Sequence, residues 1–204
     1  HFLRPILPGE AQIETRVERA GRRLTTVTAR FLQGERPAAL AIGTLGTAIP
    51  APLSIQDLTM PEAPPPDAVP SRTATFGVPF GAFWDHRPTL GDLPYAGAPS
   101  ALLGGWVRLR EPAPIDAPLV AAMTDCYPPP ILNRMRARVG LVPTVDLTIH
   151  LRRDLPLPGL RPEDYCFALF GTQTVADGYL EEDGAVWAPD GRLLAQSRQL
   201  AILG

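Results

Sequence analysis

The chain has 204 residues, 45% of them hydrophobic, and a formal net charge of −2, enough apolar material to bury a sizeable core as one large or two small domains. All 19 basic residues are arginine, set against 21 acidic ones, a balance that offers none of the clustered positive surface nucleic acid demands. No apolar run is long enough for a membrane-spanning helix, and Cys126 and Cys166 fit neither a disulfide framework nor a metal-ligand spacing, which favours a reducing cytoplasm.

In chain order, the N-terminal stretch "HFLRPIL" is followed by the alternating apolar segments "AQIETRVERA", "LTTVTARFLQ" and "PAALAIGTLG". Period-two alternation with β-branched and aromatic residues marks half-buried strands. The opening phrase returns later. His1-Phe2-Leu3-Arg4-Pro5-Ile6 lies over His150-Leu151-Arg152-Arg153-Asp154-Leu155, and the second copy is again followed by strand-like segments, "YCFALFGTQTVADGYLEED", "GAVWAPDGRLLAQ" and "QLAILG". A duplicated, strand-rich unit is the economical reading, with His1 and His150 at equivalent strand positions. It also implies that the counterpart of residues 101–149 belongs ahead of His1.

Prolines cluster in residues 48–71 and 92–100. Each removes a ladder donor and interrupts regular structure, so these stretches read as surface connectors. The expected organisation is an N-terminal unit at 1–72, a connector at 73–100 and a C-terminal unit at 101–204.

The C-terminal unit opens with "WVRLR" (106–110), a short strand. Asp116 then suits a helix N-cap, Pro118 a first turn, and Leu119, Val120, Met123 and Cys126 follow at helical spacing until Pro128, Pro129 and Pro130 stop the helix. Strand, central helix, then several antiparallel strands is an α+β plan, one sheet wrapped on one helix. Asp125 sits near the helix end beside the apolar stripe. On its own chemistry it reads first as a surface residue of the last turn, although the helix dipole there disfavours negative charge and an unpaired buried carboxylate is costly.

"GGWVRLREPAPIDAPLVAAMTDCYPPPIL", "VPTVDLTIHLRRDLPL" and "GRLLAQSRQLAIL", with the earlier "HFLRPIL…GRRLTTVTARFLQ", resemble in order and spacing the double-hotdog acyl-CoA thioesterases of the thioesterase II type. The resemblance spans nearly the whole chain outside the proline-rich connectors. It implies two fused hotdog units, each contributing a strand that begins with the repeated phrase. It also implies hydrolysis of a fatty-acyl or related acyl-CoA to free acid and CoA, no metal or redox cofactor, and room for a homo-oligomer of double-hotdog chains.

The family's catalytic Asp, Thr and Gln fall on Asp125 in "TDCY", Thr144 in "PTVDLT" and Gln199 in "AQSRQLAI". A carboxylate in reach of a water can act as its general base, and a hydroxyl and an amide can fix that water. Thr148 competes with Thr144, and Gln196 with Gln199. "TDCYPPP" is less aromatic than the family's stretch, which bears on the acyl pocket. Arg134, Arg136, Arg138, Arg152 and Arg153 are candidates for the CoA phosphates, or simply a solvated edge.

Two other readings stay open: a non-catalytic acyl-binding hotdog, and an enoyl-CoA hydratase using Asp146 and His150. The match of His150 with His1 favours a role for it in the fold. A serine hydrolase is disfavoured, since Gly97-Ala98-Pro99-Ser100 misses the G-x-S-x-G spacing.

Overall fold

The computed structural model describes residues 1–72, 79–138 and 140–204. Contacts divide the chain into two units, His1–Ser54 with Thr144–Asp146, and Ile55–Pro143 with Leu147–Gly204.

The first unit is an antiparallel meander of β1 (Gln12–Ala20), β2 (Leu24–Gln33) and β3 (Arg36–Gly46). The turn between β2 and β3 needs a residue at positive φ, and Gly34 supplies it at 62°. The opening phrase adds a short extended piece to β3. Leu40 N–H donates to the His1 carbonyl at 2.9 Å, the chain's amino terminus donates to the Leu40 carbonyl at 2.9 Å, and Phe2 bridges Ala39.

The second sheet has β4 (Trp84–Leu90), β5 (Ala101–Leu109), β6 (Thr144–Leu151), β7 (Cys166–Thr172), β8 (Val175–Ala176), β9 (Tyr179–Trp187) and β10 (Leu193–Ile202). Its order is β4-β5-β7-β9-β10-β6, with β8 paired to β9. The run β7-β9-β10-β6 repeats the first unit's order of β1, β2, β3 and the opening phrase. In each, the segment bearing the repeated histidine lies alongside the last strand.

Helix α1 (Ala117–Met123) covers one face. Asp116 caps it as expected, accepting from Leu119 N–H at 3.0 Å. Its Val120 and Met123 are fully buried, in one cluster with Leu103, Val107, Phe170 and Val186. Fully burying one such side chain is worth about 1.5–3 kcal/mol. The prolines do not end this helix. It stops at Met123, where the Thr124 hydroxyl turns back on the Ala121 carbonyl at 2.7 Å, and Pro130 instead opens the short helix α2 (Ile131–Arg134).

The other face is covered by the proline-rich stretch. Residues 48–71 form no strand, as expected of a connector, and from Ile55 onward they belong to the second unit. Two indoles hold them down. Trp106 Nε1 donates to the Pro64 carbonyl at 2.7 Å and Trp187 Nε1 to the Leu58 carbonyl at 3.2 Å, while Met60 and Ala63 pack on the cluster of Trp106, Phe167 and Trp187.

The expected boundaries therefore shift. The first unit closes at Ser54, not residue 72, because residues 55–72 contain carbonyls that satisfy buried donors of the second sheet. The stretch 73–100 is not a plain connector either, since β4 lies within it and pairs with β5 from Trp84↔Leu109 to Leu90↔Gly104. Pro88 is compatible with a strand because β4 is at the sheet edge, with a register shift just after it. Residues 73–78 of that expected connector lie outside the described residues.

Candidate active site

Asp125 lies just past α1, with its N–H bonded to the Ala122 carbonyl at 3.2 Å. It is half-buried rather than a surface residue of the last turn. The residues that follow it are anchored by hydrogen bonds and ring contacts. The next carbonyl, of Cys126, accepts from His86 Nε2 at 2.8 Å. His86 is fully buried and its pKa falls to about 4 through that burial, so a neutral imidazole makes this bond. The His86 ring stands edge-on to Tyr127 at 4.7 Å, and Tyr127 donates its hydroxyl to the Trp106 carbonyl at 3.0 Å.

Gln199 reaches the same place from β10. Along this strand Ala195, Ser197, Gln199 and Ala201 are buried, whereas Gln196, Arg198 and Leu200 are not. Pleating thus turns Gln199 inward. Its Nε2 lies 2.8 Å from Glu182 Oε1 and 3.4 Å from Asp125 Oδ1. Alternation also separates the two glutamines, since Gln196 accepts from Arg152 Nε at 2.8 Å on an exposed site.

Glu182 was not foreseen. It stands directly across from Gln199 in the β9–β10 register and is only 3% exposed. The signal was present in "YLEEDGAVW": Glu182 shares strand parity with Leu180 and Val186, both buried, which predicts a carboxyl on the inner face. Its neighbour Asp183 faces outward and takes a two-pronged ion pair from Arg198, 2.6 Å at each contact.

The two inner carboxyls are shifted in the same direction. Burial raises Asp125 to about 6, opposed by its bond to Gln199. Burial likewise raises Glu182 to about 8, again opposed by Gln199, with the Asp125 charge adding to the rise. At neutral pH Asp125 is thus mostly ionised and Glu182 mostly protonated, and because the two interact they titrate as a pair.

Thr144 opens β6, half-buried, and groups by its contacts with the first unit. Its rival Thr148 is exposed and lines a groove of about 650 Å³ with His150, Arg152, Gln196 and Trp187. The Asp146 carboxylate lies 3.9 Å from His1 Nδ1, while His150 is exposed in that groove. Arg134, Arg136 and Arg138 are exposed around the end of α2. Arg153 donates to Gln56 Oε1 at 3.3 Å. Cys126 and Cys166 are buried free thiols, and among the described residues no helix is long and apolar enough to cross a membrane.

Comparison with known proteins fits this architecture. The chain is 31% identical over 220 residues to the uncharacterized protein Rv0499 of Mycobacterium tuberculosis, a span of 96% of this chain and 72% of that protein. In three dimensions it resembles a conserved protein of unknown function with hot dog fold from Alicyclobacillus acidocaldarius, with TM-score 0.88 and 24% identity over all of this chain and 76% of that one. It also resembles the acyl-CoA thioesterase II TesB2 from Mycobacterium marinum, with TM-score 0.74 and 24% identity over all of this chain and 77% of that one. These two likenesses establish the fold. Residues 1–46 match the acyl-CoA thioesterase N-terminal domain and residues 59–203 its C-terminal domain, so the chain belongs to the acyl-CoA thioesterase family and is a thioester hydrolase of double-hotdog fold.

Proposed function

We infer that the chain hydrolyses a fatty-acyl or related acyl-CoA thioester, with Asp125 as general base and Gln199 and Thr144 holding the attacking water. The observation that carries this reading is the convergence of Asp125 and Gln199, 3.4 Å apart at the end of α1, with the Asp125 pKa near 6. A base is most effective when its pKa lies just below the working pH. A surface aspartate is ionised as readily but binds a proton too weakly to take one from water.

The chemistry follows from the donor inventory. An ionised Asp125 needs a donor from Gln199, so the amide presents its NH₂ to the carboxyl groups and offers its Oε1 as an acceptor. A water between them gives one hydrogen to Asp125 and the other to the Gln199 oxygen, leaving a lone pair for the thioester carbonyl carbon. As the C–O bond forms, Asp125 takes the proton. The tetrahedral intermediate collapses with rupture of the C–S bond, and the CoA thiolate leaves and is protonated. The net products are the free acid and CoA.

Thr144 enters from the family resemblance, as a hydroxyl that orients the same water. No metal or redox cofactor is required by a carboxylate base and a water nucleophile. The exposed Arg134, Arg136 and Arg138 are cations suited to CoA phosphates. A cytoplasmic setting fits two buried free thiols, and association of double-hotdog chains into a homo-oligomer belongs to the same reading. Thiol release measured over a panel of acyl-CoAs tests the function. Release that depends on acyl length supports it, and none at any length points to an acyl-binding protein.

A further inference from the structure

We propose that Glu182 is a positioning residue of the hydrolytic site, a buried carboxyl that fixes the Gln199 amide so that its oxygen, not its NH₂, meets the reacting water. The proposal builds on the reading of Asp125 and Gln199 above and assigns a role to a residue that reading does not use.

The geometry starts from cost. A carboxyl that is 3% exposed on a strand face otherwise filled by Leu180 and Val186 carries a desolvation penalty that an apolar residue avoids. No cation meets it. Its Oε1 accepts from Gln199 Nε2 at 2.8 Å, and its Oε2 is buried without a hydrogen-bond partner. Glu182 is therefore poorly explained as a stabilising ion pair. Its one bond is to the amide that also contacts Asp125.

That bond has a chemical consequence. The Gln199 amide has two hydrogens, and Asp125 Oδ1 and Glu182 Oε1 stand 3.4 and 2.8 Å from its nitrogen. With both hydrogens directed to carboxyl oxygens, Gln199 can act toward a water only as an acceptor. With one carboxyl, the amide keeps a hydrogen that competes for the water's lone pair and opposes attack. A second carboxylate this close to Asp125 would add like-charge repulsion, which a neutral carboxyl avoids. The titratable groups facing Glu182 are Asp125 and Cys126 in the segment after α1. From β10 it meets Gln199, and the register that pairs Gly171 with Asp183 brings Thr172 of β7 beside it. Neither of these titrates. Burial holds the Cys126 thiol well above its usual pKa, so at neutral pH Asp125 is the charge Glu182 faces.

The test compares Glu182→Gln with Glu182→Leu in the full chain. Glutamine keeps a neutral acceptor of the same shape, whereas leucine keeps the volume and removes it. Thiol release from an active acyl-CoA gives kcat and KM, and the ¹⁵N-labelled side-chain amide of Gln199, assigned by its loss in Gln199→Ala, reports hydrogen exchange.

Glu182→Leu is expected to lower kcat about tenfold with KM within about twofold, the scale of one lost hydrogen bond, and to speed exchange of the Gln199 amide by a similar factor. Glu182→Gln should recover most of kcat and keep the amide protected. It should also lack the step in the kcat–pH profile near pH 8 that is expected of the wild type as Glu182 ionises. Wild-type kcat and amide exchange in Glu182→Leu would overturn the proposal, as would a Glu182→Gln protein as impaired as Glu182→Leu. If the wild type releases no thiol, the reading of the site as hydrolytic fails. The amide measurement then still decides whether Glu182 positions Gln199.

Discussion

Glu182 and Gln199 face each other across β9 and β10, and the amide of one bonds the carboxyl of the other at 2.8 Å while reaching toward Asp125. Two acids, one half-buried and one fully buried, thus share one neutral side chain. Their different proton affinities divide the labour, since the more accessible carboxyl ionises first and its charge then keeps the second one protonated.

Removing the base is the most direct test of that division. Asp125→Asn changes little volume and is expected to lower kcat by about a hundredfold or more with the fold intact. Steady-state thiol release, with circular dichroism as the folding control, measures it. Wild-type turnover in the folded variant would end the assignment of Asp125.

The pH dependence should show the raised carboxyl. Only ionised Asp125 accepts a proton, so kcat/KM should climb as pH rises through about 6 and be lost below it. An acid limb near the ordinary aspartate pKa of 3.8 would mean that another group, or a more solvated Asp125, limits the rate.

Stability should respond to Glu182 with the opposite sign from an ordinary paired acid. Its folded pKa, about 8, lies above the ordinary glutamate value of 4.5. Its stabilising contribution is therefore fully present below pH 4.5, declines as pH rises toward 8, and is gone above that. Glu182→Gln has nothing to titrate there. Urea midpoints measured from pH 5 to 9 should fall more steeply in the wild type than in the variant, and parallel curves would contradict the shift.

The rival positions give paired controls. Gln199→Ala should cost about tenfold or more in kcat, while Gln196→Ala, which loses only an exposed bond to Arg152, should stay within about twofold. The same contrast is expected between Thr144→Ala and Thr148→Ala. Equal losses within either pair would show that the wrong residue had been chosen.

The strap over the second face should be a stability element. Trp106→Phe removes the N–H that reaches the Pro64 carbonyl at 2.7 Å, and should cost about 1–3 kcal/mol. Faster proteolysis within residues 55–72, together with a lower urea midpoint, would show the strap released. No change in either would mean that the apolar contacts of Met60 and Ala63 hold it unaided.

Much of this was legible in the chain itself. Strand alternation in β10 and the Asp116 cap are local patterns, and local patterns survive folding because the pleat and the helical turn impose them, whereas β1, expected to be half-buried, is exposed along its whole length. The choice of Asp125 and Gln199 came from the resemblance to the thioesterase II family, and these two lie 3.4 Å apart in the structure. The connector was misjudged at β4 because a proline at a sheet edge looks the same in sequence as one in a loop. The edge position is known only once the neighbours are in place.

What the sequence by itself determined is periodicity: which residues share a strand face, where α1 begins, and that Glu182 is on the same side as Leu180 and Val186. What only the tertiary structure decided is proximity. The register of β9 against β10 puts Glu182 opposite Gln199, and the early stop of α1 delivers Asp125 to the same amide. Burial follows from that packing, and with it the raised pKa values. An isolated carboxyl has one proton affinity. The removal of water by neighbours distant in sequence sets another, and that is why the chemistry of this site could not be read from its residue types alone.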